Sequence, residues 1–168
     1  FLVKEANKRM RLLHAASKFV KDKKILIQLY YTHIRCRLEQ SAVLWHSSLT
    51  VKNIIDLERV QKSAIRIIIG HRYDSYSDTL KSLKIETLFE RRERLCLRFA
   101  MKSLNVKNFK HLFPLYKKEQ DMTTRNSLKY EVCKTSSKRY KVSTIPHLQR
   151  ILNKQAQFKK IEFKKLKL

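Results

Sequence analysis

The sequence predicts a mainly α protein, a helical bundle of about five helices followed by an irregular, basic C-terminal extension. Apolar residues recur every three or four positions over most of residues 1–105, as they do in helices that bury one face. One glycine and two prolines in 168 residues are too few for the many tight turns of an all-β fold. At 43% hydrophobic residues, the chain has enough apolar material for a core.

The first two predicted helices cover residues 4–18 and 24–46, with a charged break between them. In the second helix, one stripe recurs at helical spacing and predicts the buried face. The stripe consists of Leu26, Tyr30, Ile34, Leu38, Ala42 and Trp45.

The third predicted helix covers residues 51–69. Thr50 has a hydroxyl that can cap its first turn, and Gly70, the only glycine, follows where a left-handed C-cap falls. Its apolar seam is Ile54, Leu57, Val60, Ala64 and Ile67 or Ile68. Three cations, Arg59, Lys62 and Arg66, are spaced to share a face away from that seam.

Two more helices are predicted at 78–83 and 87–104. Thr87 and Glu90 have the spacing of a capping box that opens the second of them. This helix shows two apolar faces, which predicts packing on both sides. The faces are Leu88, Leu95 and Phe99, and Leu97, Met101 and Leu104.

After Phe109 the helical periodicity weakens, so we predict a helical domain over 1–105 and a basic extension over 106–168. A strand at 129–134 and a short helix near 146–152 are expected within the extension. Pro146 suits the first turn of that helix. The lysine-rich residues 159–167 predict either a frayed amphipathic helix or a mobile basic tail.

Net charge is the strongest compositional signal. Lys and Arg number 39 against 14 Asp and Glu, a formal charge of +25. The excess is +7 over residues 1–50, +4 over 51–100 and +14 over 101–168. Because this far exceeds what solubility needs, the expected partner is a polyanion, RNA or DNA.

Catalytic chemistry is not expected. No two aspartates are adjacent, and the carboxylates are scattered, whereas nucleotidyl transfer needs clustered carboxylates to hold metal ions. Glu58, Glu90 and Glu93 are expected to form i,i+4 pairs along their helices, with Lys62, Arg94 and Arg98 among the available partners. The histidines and the three cysteines lack the spacing of metal ligands. We therefore expect no catalytic residues, no metal and no cofactor.

Three lone cysteines also favour a cytoplasmic or nuclear protein with reduced thiols. No apolar run approaches the roughly 20 residues of a membrane span, so no membrane partner is expected.

The candidate nucleic-acid-binding residues are cations interleaved with aromatic side chains. Cations neutralise phosphates, and aromatic rings can stack on bases. The set is Arg59, Lys62, Arg66, Arg91, Arg92, Lys138, Arg139, Tyr140, Lys141 and the lysines of 159–167, with Tyr73 and Tyr76 as further stacking candidates. The alternative for any one of them is a solvated charge or a packing tyrosine.

Four ordered segments carry a family resemblance. They are LYYTHIRCRLEQSAVLWH at 29–46, LERVQKSAIRIIIG at 57–70, TLFERR at 87–92 and RYKVSTIPHLQRILN at 139–153. Their order and intervals resemble the region downstream of the palm in reverse transcriptases of jockey-like non-LTR retrotransposons. Gln40 departs from the pattern, because the family usually has an aromatic residue there.

The resemblance implies a thumb-like bundle with a C-terminal extension that holds template RNA or its hybrid with DNA. The palm with its paired aspartates is not in this sequence, so polymerase activity does not carry over. Two alternatives stay open: an interaction module that docks on the palm of its own polymerase, and a decayed fragment without function. For a working element, a ribonucleoprotein in cytoplasm and nucleus is expected.

Overall fold

The structure, a computed structural model, describes residues 1–115, 130–134 and 137–165, with side chains described as far as residue 155. The predicted mainly α fold is confirmed, although this part of the chain contains nine α-helices rather than about five. They are α1 (Leu2–Phe19), α2 (Lys23–Leu29), α3 (Cys36–Glu39), α4 (Ala42–Trp45), α5 (Val51–Ile69), α6 (Tyr76–Leu83), α7 (Leu88–Ser103), α8 (Lys138–Lys141) and α9 (Thr144–Lys165).

The chain forms two compact units. The first comprises Phe1–Ala42 and Leu49–Glu93, and the second comprises Val43–Ser48 and Arg94–Leu168. The predicted boundary lies at 105/106, whereas the two units divide within α7, between residues 93 and 94. Residues 43–48 also belong to the second unit, although they come from the first half of the chain. Within the described ranges, no helix combines the length and apolar composition that crossing a bilayer requires.

In the first unit, α1 packs along α5. Ala6 and Leu13 are the buried residues of α1. The predicted seam of α5 is buried at Leu57, Val60, Ala64 and Ile68, together with Gln61 and Ile65. Each helix therefore buries one side and leaves the other side to solvent.

The stripe predicted for residues 24–46 is buried at Leu26, Tyr30, Ile34, Leu38 and Ala42, but it does not lie on one continuous α-helix. Four residues turn an α-helix by about 400°, so a strict four-residue stripe drifts by about 40° per step. Tyr30–Arg35 instead forms a π-helical segment, whose wider turns offset this drift. Tyr30 and Ile34, four residues apart, are both buried in this segment.

The helix also breaks at Gln40 and Ser41. Backbone φ and ψ at Gln40 are −55° and 121°, and φ at Ser41 is +52°. The break falls at the residue that departs from the jockey-like pattern. Gln40 is exposed and accepts a hydrogen bond from Arg37 Nη1 at 3.1 Å.

A hydrogen-bonded pair connects two helical segments in the core of the first unit. The Tyr30 hydroxyl donates to Gln61 Oε1 at 2.9 Å, and Gln61 Nε2 donates to the Glu86 carbonyl at 2.8 Å. Gln61 is fully buried, and these bonds satisfy both ends of its amide. Burial raises the pKa of Tyr30 well above its ordinary value, so the hydroxyl keeps its proton.

The ends of α5 follow the sequence closely. Thr50 Oγ1 accepts from the Asn53 amide at 3.3 Å, which confirms the N-cap. Gly70 has the predicted positive φ of 65°, but its ψ of −134° lies outside the left-handed helical region. The backbone there adopts a conformation that is easy only for glycine.

Helix α7 begins with the predicted capping box, but its buried side differs in part from the two predicted apolar faces. Thr87 and Glu90 form the capping box, with Glu90 N to Thr87 Oγ1 and Thr87 N to Glu90 Oε2 both at 3.2 Å. The buried residues are Leu88, Arg92, Cys96, Ala100 and Ser103. The two predicted apolar faces are buried only in part: Leu88 is buried and Leu97 and Leu104 pack against the core of the second unit, but Phe99 and Met101 are each 42% exposed.

The second unit has its own apolar core, to which α7 and α9 both contribute. The core consists of Cys96, Ala100, Phe113, Tyr130, Leu148, Ile151 and Leu152. Helix α9 is much longer than the short helix predicted near 146–152. A 3₁₀-helix at Lys107–Leu112 adds further order, so the extension is less irregular than predicted.

Two amides on α9 hold the segment 130–134 in place. Asn153 accepts from the Tyr130 amide and donates to the Tyr130 carbonyl, both at 2.9 Å. Gln149 accepts from the Cys133 amide at 3.0 Å and donates to the Leu112 carbonyl at 2.8 Å. The predicted strand was therefore wrong over its described residues 130–134. Only one bridge forms there, between Leu115 and Tyr130, and the side chains of Asn153 and Gln149 bond the backbone of Tyr130 and Cys133.

Candidate nucleic-acid interface

Helix α5 displays a row of cations opposite its buried seam. The α5 row, as we call it, is Lys52, Arg59, Lys62 and Arg66, all of them exposed. At 100° per residue, the four positions lie within about 80° of one another around the helix. The structure thus places the three predicted cations of α5 on one solvent-facing surface and adds Lys52 to them.

Asp56 is the acidic neighbour of this row. Its Oδ1 lies 2.9 Å from Arg59 Nη1, and the Arg59 side chain is still 72% exposed. An exposed ion pair of this kind contributes at most about 1 kcal/mol. A phosphate can therefore compete for Arg59 at little cost.

The two tyrosines that follow α5 pack inside the first unit. Arg66 lies over the Tyr73 ring, 5.1 Å from its centroid, so this ring already contacts a guanidinium. The Tyr76 hydroxyl donates to Glu58 Oε2 at 3.0 Å. Burial and the neighbouring Glu58 carboxylate raise the pKa of Tyr76. Both rings are partly buried, which favours the packing alternative over base stacking.

Arg91 belongs to an internal ion-pair group. Its Nε lies 3.1 Å from Glu39 Oε1, and Arg35 Nε lies 3.2 Å from the same oxygen. Arg35 also stacks on Tyr31, 3.7 Å from the ring centroid. All three charged side chains are less than a quarter exposed, so Arg91 holds Glu39 rather than facing solvent.

The prediction that Arg92 contacts nucleic acid was wrong. Its side chain is completely buried, at 0% exposure, and it does not offer its guanidinium to a ligand in this structure. The reason is its position, four residues after the buried Leu88 and four before the buried Cys96. In the sequence the two adjacent arginines have the pattern of a surface patch, but in the structure Arg91 is partly buried in an ion pair and Arg92 is fully buried.

In the second unit, Lys138, Arg139, Tyr140 and Lys141 form the short helix α8. Ser137 caps it, because its Oγ accepts from the Tyr140 amide at 3.2 Å. All four side chains are exposed, Tyr140 by 44%. These candidates are accessible. The predicted contacts from the lysines of 159–167 lie outside the described side chains.

Helix α1 has a second row of cations that the candidate list did not include. The α1 row is Lys4, Lys8, Arg11 and Lys18, all exposed. Like the α5 row, it lies within about 80° around its helix. Lys8 Nζ lies 2.8 Å from Glu5 Oε1, and this contact lowers the pKa of Glu5. The spacing of 4, 3 and 7 residues was the signal in the sequence that identifies this row.

Two acidic side chains in the first unit, Glu58 and Glu90, accept hydrogen bonds from nearby amides and hydroxyls. Glu58 accepts from the Phe89 amide at 2.7 Å as well as from Tyr76, and Glu90 completes the capping box. Glu58 and Glu90 thus accept hydrogen bonds from backbone amides, a role that the pairing expected along their own helices did not include. Glu58 satisfies an amide in the first turn of α7, where helix amides lack partners.

Comparison of the chain with protein-family models, with curated protein sequences and with solved structures gave no match.

Proposed function

We propose that this chain is the nucleic-acid-binding C-terminal segment of a non-LTR retrotransposon reverse transcriptase, without the catalytic palm. It binds template RNA or an RNA/DNA hybrid by neutralising phosphates, with little sequence preference. By itself it is not an enzyme. The observation that carries the proposal is the α5 row, four exposed cations on one face of a 19-residue helix.

The charge of the whole chain supports this assignment. A formal charge of +25 attracts polyanions, and the two rows concentrate part of that charge on two helices that pack together. Phosphate contacts from such rows release counterions, which makes binding strong at low salt and independent of sequence.

The motifs that resemble the jockey-like family support it in a different way. Several of their polar residues make contacts that hold the fold: Glu39 joins two arginines, Gln61 joins Tyr30 to Glu86, and Asn153 holds Tyr130. Replacing any of these polar residues would remove a hydrogen-bond or ion-pair partner from a group inside the fold. Proteins that share this fold are therefore expected to share these residues.

Salt titration tests the proposal. We expect the affinity for a fluorescently labelled RNA to fall by orders of magnitude between low and moderate salt, with a log-log slope of about −0.7 for each single-strand phosphate contact. Fluorescence anisotropy at increasing potassium chloride measures the slope. Undetectable binding, or binding that salt leaves unchanged, would remove the proposal.

The second candidate is a module that docks on the palm of its own polymerase. The Leu26, Tyr30 and Ile34 face is buried within the first unit, so it is not available for docking. The Leu97 and Met101 side of α7 remains. A shallow cavity of about 460 Å³ lies there, bordered also by Arg94, Arg98, Lys102 and Asn105.

This candidate predicts that Met101→Asp abolishes capture of a separately expressed palm and leaves RNA affinity unchanged. Met101 is 42% exposed, so the substitution should not disturb folding. Capture that persists in the variant contradicts docking through this side. A decayed fragment without function predicts neither RNA binding nor palm binding.

A further inference from the structure

A groove runs along the contact between α1 and α5 in the first unit. Its larger part has a volume of about 510 Å³, and α1 provides most of its lining, with Ile67 from α5. A smaller part, about 190 Å³, lies between the N-terminal halves of the two helices and is bordered by Asn7, Asp56 and Arg59. Asn7 borders both parts, so they are neighbouring parts of one groove.

The larger part combines cations with an apolar surface. Arg11, His14 and Lys18 line it, and no carboxylate does. Met10 and Ile67 supply apolar surface, and Phe19 lies at the C-terminal end of α1 with 86% of its surface exposed. Exposing a large aromatic side chain beside cations leaves it available to a planar, apolar group of a negatively charged ligand.

Both cation rows contribute to the groove. Arg11 and Lys18 of the α1 row line its larger part, and Arg59 of the α5 row borders its smaller part. From Lys52 to Arg66 the α5 row extends about 21 Å at 1.5 Å per residue. Each strand of B-form DNA has a phosphate roughly every 3.4 Å of helix axis, and an unstacked single strand is more extended, so a few successive phosphates fit alongside one row.

We propose that the groove between α1 and α5 holds single-stranded nucleic acid, with phosphates on the cation rows and a base stacked on Phe19. This inference rests on the proposed function and adds the site and the strandedness of the ligand. A duplex keeps its bases stacked inside and reaches only the cations. An acidic peptide can pair with the cations but has no regular planar group for Phe19.

The test compares Phe19→Ala with wild type on two probes, a 12-nucleotide oligouridylate and a blunt 12-base-pair duplex. We expect the variant to bind the single strand about 5- to 100-fold more weakly, the range of one lost base-aromatic stack, and the duplex within about twofold of wild type. Phe109→Ala is the matched control, because Phe109 is 42% exposed in the second unit. It should change neither affinity.

Three outcomes separate this inference from the proposed function. If wild type binds neither probe, the proposed function fails together with the groove. If wild type binds the single strand and Phe19→Ala binds it equally well, the groove assignment fails and the proposed function stands. If polyglutamate of equal charge displaces the oligouridylate as well as unlabelled oligouridylate does, the groove is an acidic-peptide site. Thermal melting by circular dichroism verifies that the variants fold.

Discussion

Neutralising the α5 row should abolish most of the affinity for nucleic acid. With Lys52, Arg59, Lys62 and Arg66 all changed to Gln, we expect binding at 0.1 M salt to weaken by about 100- to 1000-fold. The reason is the loss of four phosphate contacts, each of which adds about 0.7 to the log-log salt slope on a single strand. The slope should therefore become shallower by about 3.

A matched control removes the same charge from other surfaces. The control changes Lys24, Lys81, Lys107 and Lys110 to Gln, all of them exposed and on neither row. Anisotropy titrations of both variants against the same oligonucleotide provide the comparison. Equal losses in the two variants would mean that binding follows total charge, and the α5 row would have no special role.

Asn153→Ala should cause a large loss of stability. The substitution leaves both the amide and the carbonyl of Tyr130 without their partner, in a residue that is 8% exposed. Two unsatisfied buried backbone groups cost about 2–5 kcal/mol. Urea unfolding measures the free energy, and the amide of Tyr130 should also lose hydrogen-exchange protection.

Lys154→Ala is the control, since the neighbouring Lys154 is exposed on the same helix. We expect it to change the free energy of unfolding by less than about 0.5 kcal/mol. The two cation rows lie in the other unit, so Asn153→Ala should leave RNA affinity unchanged at temperatures where the chain is folded. Near-identical stability of the two variants would contradict the structural role of Asn153.

Helix α5 shows where sequence reasoning succeeds. Its predicted bounds, 51–69, match the structure, because a threonine cap, a periodic seam and the single glycine all indicate the same two ends. Local signals of this kind need no knowledge of the rest of the fold. The fold class and the exposed face of Arg59, Lys62 and Arg66 followed from the same periodicity.

Arg92 and the π-helical segment show where it fails. An arginine in a basic doublet is usually at the surface, and its burial follows from the four-residue spacing of Leu88, Arg92 and Cys96. A stripe with a period of four also fits an α-helix over short stretches, because its drift around the helix builds up only over several turns. In both cases the packing partner decides, and it is not local in sequence.

The candidate site could be predicted only in part, because contacts between residues far apart in the sequence decide which cations are exposed. In the sequence, Arg91 is a plausible phosphate contact. In the structure it donates a hydrogen bond to Glu39, which lies 52 residues away in the chain and is not a local signal. In the sequence, the α1 row has the pattern of the polar side of an ordinary amphipathic helix. Its significance depends on the packing of α1 against α5, because Arg11 and Lys18 of the α1 row and Arg59 of the α5 row line one groove.

Lysine footprinting tests most directly whether one face of the first unit holds the polyanion. Acetylation of the intact chain with and without bound oligouridylate, read by mass spectrometry, reports each lysine separately. We expect strong protection of Lys8, Lys18, Lys52 and Lys62, and unchanged reactivity at Lys81, Lys107 and Lys110. Protection spread evenly over both groups would contradict a binding face made of the two rows.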